Sequence, residues 1–152
     1  MHIDIITYET KYAPDFKKLN LEWLDKYGLT EEGDLLMLDF PEREILATGG
    51  VIYLAKAGDE IIGSSALINE GKGVYELAKM AVADEYKGKG ISKLLIEKCL
   101  NKAVEMEAKK IYLQSNSQLT TALKLYEKYG FKHIPVTNAH YATADVMMEK
   151  VL

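Results

Sequence analysis

Three groups of residues in this chain have types and spacing suited to chemistry: a glycine–lysine turn, a glutamate within a strand, and a tyrosine on a helix. The turn reads Lys87-Gly88-Lys89-Gly90-Ile91-Ser92 and follows a β-type run ending at Ala83. An amphipathic run begins directly after it, so the turn's N–H groups and the positive end of a helix converge on one spot. Glycines there let an anion approach the main chain without meeting a Cβ. Lys87, Lys89 and Lys93 surround the spot with positive charge. The pattern points to a phosphorylated small molecule, although a Gly-x-Gly turn also serves as a plain tight connection. No Gly-Lys-Ser/Thr closes it, so it is not a Walker loop. A β-meander precedes it where a dinucleotide fingerprint would open a βαβ unit.

Glu76 lies in Glu76-Leu-Ala-Lys-Met-Ala-Val82. Strand alternation places Glu76, Ala78, Met80 and Val82 on one largely apolar face. A carboxylate there should have a raised pKa and accept protons well; the alternative is a hydrogen-bonded structural carboxylate. Tyr126 falls four residues after Ala122 and three after Leu123, on the apolar face of a helix. It is either a core ring or an acid whose hydroxyl seeks a partner. Cys99 sits mid-helix among apolar residues and reads as packing. His133 and His140 read as surface or loop residues, with His140 beside Tyr141 as a candidate for an acceptor pocket. Trp23, Tyr27, Leu35 and Leu36 read mostly as core, with part of the stripe walling a cleft.

The elements that must position these groups follow from periodicity. Residues 2–8 form a first strand, and 13–27 form a helix with Phe16, Leu19, Trp23, Leu24 and Tyr27 at helical spacing. Thr30 with Glu31 and Glu32 marks the start of a second helix that breaks near Pro41. Residues 51–55 and 61–68 are strands joined across Gly58-Asp59, and 74–83 form a fourth. A helix over 90–107, a strand over 111–114, a helix over 119–129 and strands over 131–136 and 141–151 complete the order. That order is an α/β domain with a mixed sheet, one domain over residues 1–152.

Composition narrows the class. A chain of 152 residues with 48% hydrophobic content supports one core. No apolar run reaches the ~20 residues of a membrane span, and the N-terminus lacks a signal-peptide pattern. Net charge is −4 with Lys and Glu interspersed, which argues against nucleic acid and slightly favours a cationic substrate. One cysteine suits a reducing compartment, so a cytoplasmic location is expected. The three histidines have no metal-ligand spacing, and no metal is expected. Eighteen lysines accompany a single arginine, Arg43, so fork-like capture of a carboxylate could come only from that residue.

Taken together, the turn and the Leu125-Tyr126-Glu127-Lys128-Tyr129-Gly130-Phe131 motif resemble the GNAT superfamily of acyl-CoA-dependent N-acyltransferases. The resemblance covers nearly the whole chain in element order and is most specific over 74–100 and 115–131. The family signature Arg/Gln-x-x-Gly-x-Gly/Ala is matched at Gly90; Lys87 stands for Arg or Gln and Ser92 for the final small residue. The resemblance implies a mixed, mostly antiparallel sheet of about seven strands flanked by four helices. It further implies that Lys87, Gly88, Lys89, Gly90, Ile91, Ser92 and Lys93 wrap the CoA pyrophosphate, and that Met80, Ala81 and Val82 pair with the pantetheine arm. The Met80 N–H would polarise the thioester carbonyl, Tyr126 would protonate the departing thiolate, and Glu76 would act as general base. Relatives often carry an asparagine where this chain has Leu119; Asn116 resembles the form of another branch and would touch the cofactor arm.

What the resemblance implies is acetyl transfer from acetyl-CoA to a primary amine of a small molecule or peptide, in one ternary complex. A homodimer is compatible with it. A non-catalytic acyl-CoA-binding regulatory module is the alternative, and a nucleotide-phosphate enzyme ranks last for want of a Mg²⁺ carboxylate set. The first two helices and the 136–142 loop would shape the acceptor site, and they carry no readable motif. Ala142 and Thr143 occupy the region near Tyr141 where some relatives have an arginine.

Overall fold

The computed structural model describes residues 2–152. β1 (Ile3–Thr7) leads through a 3-10 turn into α1 (Ala13–Lys26) and α2 (Glu32–Asp39). A π-helical turn over Glu42–Leu46 precedes the meander β2 (Val51–Ala57), β3 (Glu60–Gly71) and β4 (Val74–Val82). Then come α3 (Ile91–Glu105), β5 (Lys110–Ser115), α4 (Thr120–Lys128), β6 (Lys132–Ile134) and β7 (Val146–Val151). The seven strands form one sheet in the order β1-β2-β3-β4-β5-β7-β6. Every neighbouring pair is antiparallel except β4 with β5. The expected mixed, mostly antiparallel sheet with four flanking α-helices is therefore present.

Period-two alternation sends side chains to two separate cores, one on each face of the sheet. In β2, Ile52 and Leu54 join Phe16, Leu19 and Leu24 of α1, while Tyr53 and Ala55 face Leu95, Ile96 and Cys99 of α3. Adjacent serines of β3 follow the same rule and are satisfied on opposite faces. Ser64 meets Asn20 of α1, and Ser65 accepts from the Cys99 thiol at 3.2 Å. α1 starts with Pro14 in its first turn, where a missing N–H costs nothing.

Three expectations change. The last strand starts at Val146, not 141, because Pro135 lacks a donor and Asn138 takes a left-handed φ of 52°, so 135–145 is loop. The cap of α2 is Glu31, not Thr30; Asp34 returns a side-chain oxygen to the Glu31 N–H at 3.0 Å, and the Thr30 hydroxyl donates to Asp25 instead. Leu35 and Leu36 are 38% and 43% exposed rather than core. On so short a helix, Leu38 carries the packing.

Candidate active site

The site begins where two parallel strands part. β4 pairs with β5 only from Val74↔Lys110 to Glu76↔Tyr112. From Leu77 onward the β5-facing edge of β4 has no strand beside it, and a cavity of about 790 Å³ opens there. Its wall includes Glu76, Met80, Ala81, Val82, Lys87, Gly88, Gly90, Ile91, Ser92, Lys93, Asn116 and Tyr126. Of the residues assigned from the sequence to catalysis or cofactor binding, only Lys89 lies outside the wall; its ammonium stacks over the Tyr86 ring at 5.5 Å.

The turn has the form an anion site requires. Gly88 and Gly90 take φ of 77° and 80°, conformations strained for any residue with a Cβ. A Cβ built on either would meet no heavy atom within 4 Å, so the space in front of the main chain is open. Gly90 is the N-cap of α3 and supplies no side-chain cap. Among the described residues, none accepts a hydrogen bond from the main-chain N–H groups of Gly88 to Lys93. A run of unsatisfied donors at a helix N-terminus, edged by lysines, fits a pyrophosphate.

β4 does not keep its alternation to the end. Between Ser64↔Ala81 and Ala66↔Ala78 one residue of β3 opposes two of β4, a bulge at Lys79-Met80 with Lys79 at φ 54°. Glu76, Ala78 and Ala81 consequently lie toward α1 and α2, whereas Met80 and Val82 pack with Tyr75 and Leu77 toward α3. The expectation that Glu76, Ala78, Met80 and Val82 share one face is thus corrected: the extra residue reverses the parity. A buried polar chain holds the bulge. Asn20 Nδ2 donates to Phe16 O at 2.9 Å and to Ser64 Oγ at 3.0 Å, and the Ser64 hydroxyl donates to Lys79 O at 2.7 Å.

Glu76 is 2% exposed. Gln114 Nε2 donates to its Oε2 at 2.9 Å, while Oε1 has no partner among the described residues. Burial pushes its pKa above the ordinary carboxylate value, and Glu70 adds to this; Gln114, His140 and Lys79 oppose it. Lys79 forms a buried ion pair with Asp34 of α2 and lies over the Tyr141 ring at 5.4 Å. Glu31 clamps the loop that carries Tyr141, accepting from the N–H groups of Ala142 (2.9 Å) and Thr143 (3.0 Å) and from the Thr143 hydroxyl. Burial works against its charge, yet those three donors keep its pKa below the usual range. Tyr141 rests against Gly33, where a Cβ would come within 3.3 Å of the ring.

Tyr126 packs edge-on against Phe131 with centroids 5.9 Å apart. Burial, and then the nearby Cys99, raise its pKa well above that of a free phenol. Asn116 donates to Thr143 O at 2.8 Å and accepts from the Gln118 N–H at 3.0 Å, so its side chain braces the loop while lining the cavity. The Cys99 thiol is buried and pushed up to about 12, in keeping with packing. His133 pairs with Glu127 on the surface at 3.0 Å. His140 is exposed, but its ring reaches the neighbourhood of Glu76. Asp34, Lys79, Gln114 and the Asn20–Ser64 pair were not found from the sequence. A lysine inside an otherwise apolar strand is the one signal that pointed there.

A seven-stranded sheet opened between its parallel pair, with free main-chain N–H groups and glycines at the opening, is the arrangement that the resemblance to acyl-CoA-dependent transferases leads one to expect. The comparisons with known proteins agree: residues 16–131 match the model of the Acetyltransferase (GNAT) family, and the chain belongs to that family. The family is one of acetyltransferases, and solved structures similar to this chain include some that hold coenzyme A. Among relatives, it is 34% identical over 105 residues to N-acetylaspartate synthetase of Xenopus tropicalis, covering 68% of this chain but only 39% of that protein. It is 31% identical over 121 residues to the uncharacterized N-acetyltransferase YvbK of Bacillus subtilis, covering 78% and 77% of the two chains. Its fold matches a GNAT acetyltransferase of Staphylococcus aureus with a TM-score of 0.90 at 23% identity, covering 99% of both chains. It also matches the PaiA N-acetyltransferase of Thermoplasma acidophilum, solved with coenzyme A, with a TM-score of 0.79 at 20% identity over the full length of both. Among the described residues, no helix is long and apolar enough to cross a membrane.

Proposed function

We propose that residues 1–152 act as one domain that moves an acetyl group from acetyl-CoA to a primary amine of a small molecule or peptide, by direct attack in a ternary complex. The observation that carries this reading is the lining of one cavity: the anion turn, the bulge, Glu76 and Tyr126 all face it. Acetyl-CoA supplies the activated acyl carbon; the chain's own residues do the rest. The N–H groups from Gly88 to Lys93, with Lys87 and Lys93, hold the pyrophosphate. The free edge of β4 from Met80 to Val82 pairs with the pantetheine arm, and Asn116 abuts it from just beyond the end of β5.

An alkyl ammonium with a pKa of about 10 cannot attack until it loses a proton. Glu76, or a water it orders, receives that proton, and its raised pKa suits the task. The Met80 N–H, set by the bulge, donates to the carbonyl oxygen as it gains charge. Tyr126, kept protonated by burial, gives its proton to the departing thiolate. Every one of these groups comes from a single chain, so a homodimer is compatible with the chemistry without being needed for it. A cytoplasmic location is part of the same reading.

Thermal shift with acetyl-CoA, ATP and NAD tests the first half: acetyl-CoA alone should raise the Tm, because selective binding to the native state stabilises it. Release of free CoA on adding an amine tests the second. Binding without release would leave a regulatory module that holds acyl-CoA, a reading that the relatives' names as N-acetyltransferases do not favour.

A further inference from the structure

The charges lining the cavity are segregated. Lys87, Lys93, Lys124 and Lys128 come from the turn, the start of α3 and α4, where the phosphates of the co-substrate belong. The carboxylates Asp34 and Glu76 come from α2 and the first half of β4. Glu70, at the end of β3 and outside the cavity wall, brings a carboxylate oxygen within 4.8 Å of one from Glu76 and of a His140 ring nitrogen. The Glu76 oxygen without a partner belongs to a side chain only 2% exposed, in the cavity wall. A buried acceptor oxygen left unpaired is costly, and a ligand bearing N–H donors would satisfy it.

The cations at this end are already committed. Lys79 is held by Asp34, with both side chains 5% exposed. Arg43, the one arginine, stacks on Phe40 at 4.2 Å, lies 3.7 Å from Glu44 and does not line the cavity. A carboxylate on the acceptor would therefore meet two like charges, Glu70 and Glu76, with only the His140 ring, which already faces both, to offset them, a juxtaposition that suppresses the wrong partner. Trp23, Tyr27 and Tyr141 line the same cavity with aromatic faces that pack methylene chains; Lys26 and Lys79 already lie over Tyr27 and Tyr141, as ammonium groups do.

We infer that the acceptor is a short-chain diamine or polyamine, a primary amine with a second ammonium and no carboxylate. The inference rests on the acetyltransferase reading above. The reacting ammonium gives one proton to Glu76, which becomes neutral. The new N–C bond forms, the C–S bond breaks, and the thiolate takes its proton from Tyr126. The second proton, shed by the nitrogen as the amide forms, passes through solvent to the tyrosinate. Glu70 holds the second ammonium. The acceptor of this chain then differs in charge from the one that the name N-acetylaspartate synthetase implies for its relatives.

The test measures free CoA released from acetyl-CoA with putrescine, n-butylamine and aspartate, together with calorimetric titration of acetyl-CoA into the protein. Putrescine should exceed n-butylamine in kcat/KM by about tenfold or more, with aspartate below both. Glu70→Gln should pull the putrescine to n-butylamine ratio toward one. Heat of acetyl-CoA binding with putrescine no better than n-butylamine, with aspartate preferred, or with putrescine unused, overturns the acceptor class alone. A ratio that stays at its wild-type value in Glu70→Gln overturns the assignment of the second ammonium to Glu70. Absence of acetyl-CoA binding and of turnover with any amine overturns the acetyltransferase reading, and the acceptor class with it.

Discussion

Lys79 of β4 and Asp34 of α2 close a buried ion pair beside the cavity, each side chain 5% exposed. The pair unites two local necessities. Lys79 is the bulged residue whose main chain turns β4, and Asp34 is the third residue of α2, where its other oxygen completes the capping box with Glu31. Glu31 in turn holds the loop that carries Tyr141. One carboxylate at the start of a short helix thereby fixes the acceptor wall to the strand that bears the proposed catalytic N–H.

Removing one partner should hurt more than removing both. Asp34→Asn leaves a buried ammonium uncompensated, a loss of about 3–5 kcal/mol. The double variant Asp34→Leu/Lys79→Met should recover most of that loss, since a well-packed apolar pair often replaces a buried ion pair at little cost. Urea unfolding of the two singles and the double measures it. Equal, additive losses would mean that the pair does not act as a unit.

Gly90→Val should abolish acetyl-CoA binding in a folded protein. No atom lies within 4 Å of the new Cβ, so the core is undisturbed and the cost is confined to a left-handed φ of 80°, about 1–3 kcal/mol. The branched side chain would fill the space where phosphate oxygens meet the N–H groups. Calorimetry with CoA and circular dichroism decide between this and a plain turn: wild-type affinity in a folded variant sinks the anion-site assignment.

The Asn20–Ser64 chain should matter to rate more than to cofactor affinity. Ser64→Ala removes the donor to Lys79 O, loosens the bulge and lets the Met80 N–H drift; kcat should fall on the order of 10–100-fold while the Kd for acetyl-CoA changes little. Ser65→Ala is the control, because Ser65 faces Cys99 on the opposite side of the sheet. It should lower Tm without the same fall in kcat. Matching falls in both variants would reduce Ser64 to a packing residue.

The outline of this site was legible because its parts are local. Glycines at 88 and 90, a helix directly after them, and Tyr126 at helical spacing are all fixed by residues close in sequence, and they do meet at one cavity. The parity of Met80 was not legible. A bulge depends on two long-range facts, the register of β3 and the buried hydroxyl of Ser64, and neither leaves a mark in β4 itself. Asp34 and Lys79 are 45 positions apart, so the lysine inside an apolar strand marks the place without naming its partner. The two ends of the 135–145 loop read as strand in the sequence; Pro135, the left-handed Asn138 and the anchoring by Glu31 and Gln114 show why they are not.

Glu76→Gln tests the base through both rate and stability. Burial raises the folded pKa of Glu76, so the native state holds this proton more tightly than the unfolded chain does. The stability that Glu76 contributes is full below the unfolded value of about 4.3 and is lost as pH rises through the folded value. The Gln variant, which never ionises, should therefore be the more stable protein at neutral pH, and the gain should vanish in acid. Its activity should lose the limb that rises with pH in the wild type. An unchanged pH–rate profile would assign the proton to another acceptor, such as the substrate itself.

Tyr126→Phe separates acid from core ring. The substitution removes one oxygen and keeps the edge-on contact with Phe131, so Tm should stay close to wild type and acetyl-CoA affinity within a few-fold. Burial has raised the phenol's pKa, which keeps the proton on the oxygen across the working pH range and makes it available when the thiolate forms. A positioned proton donor typically contributes ~10²–10⁴-fold, and the loss should fall on kcat rather than on KM for acetyl-CoA, because the departing sulfur carries charge only late in the reaction. A better leaving thiol needs less help, so an acetyl thioester of an acidic thiol should recover part of the lost rate in the variant and gain less in the wild type. Near-full activity of Tyr126→Phe with acetyl-CoA, or an equal gain from the acidic thiol in both proteins, would return Tyr126 to the core.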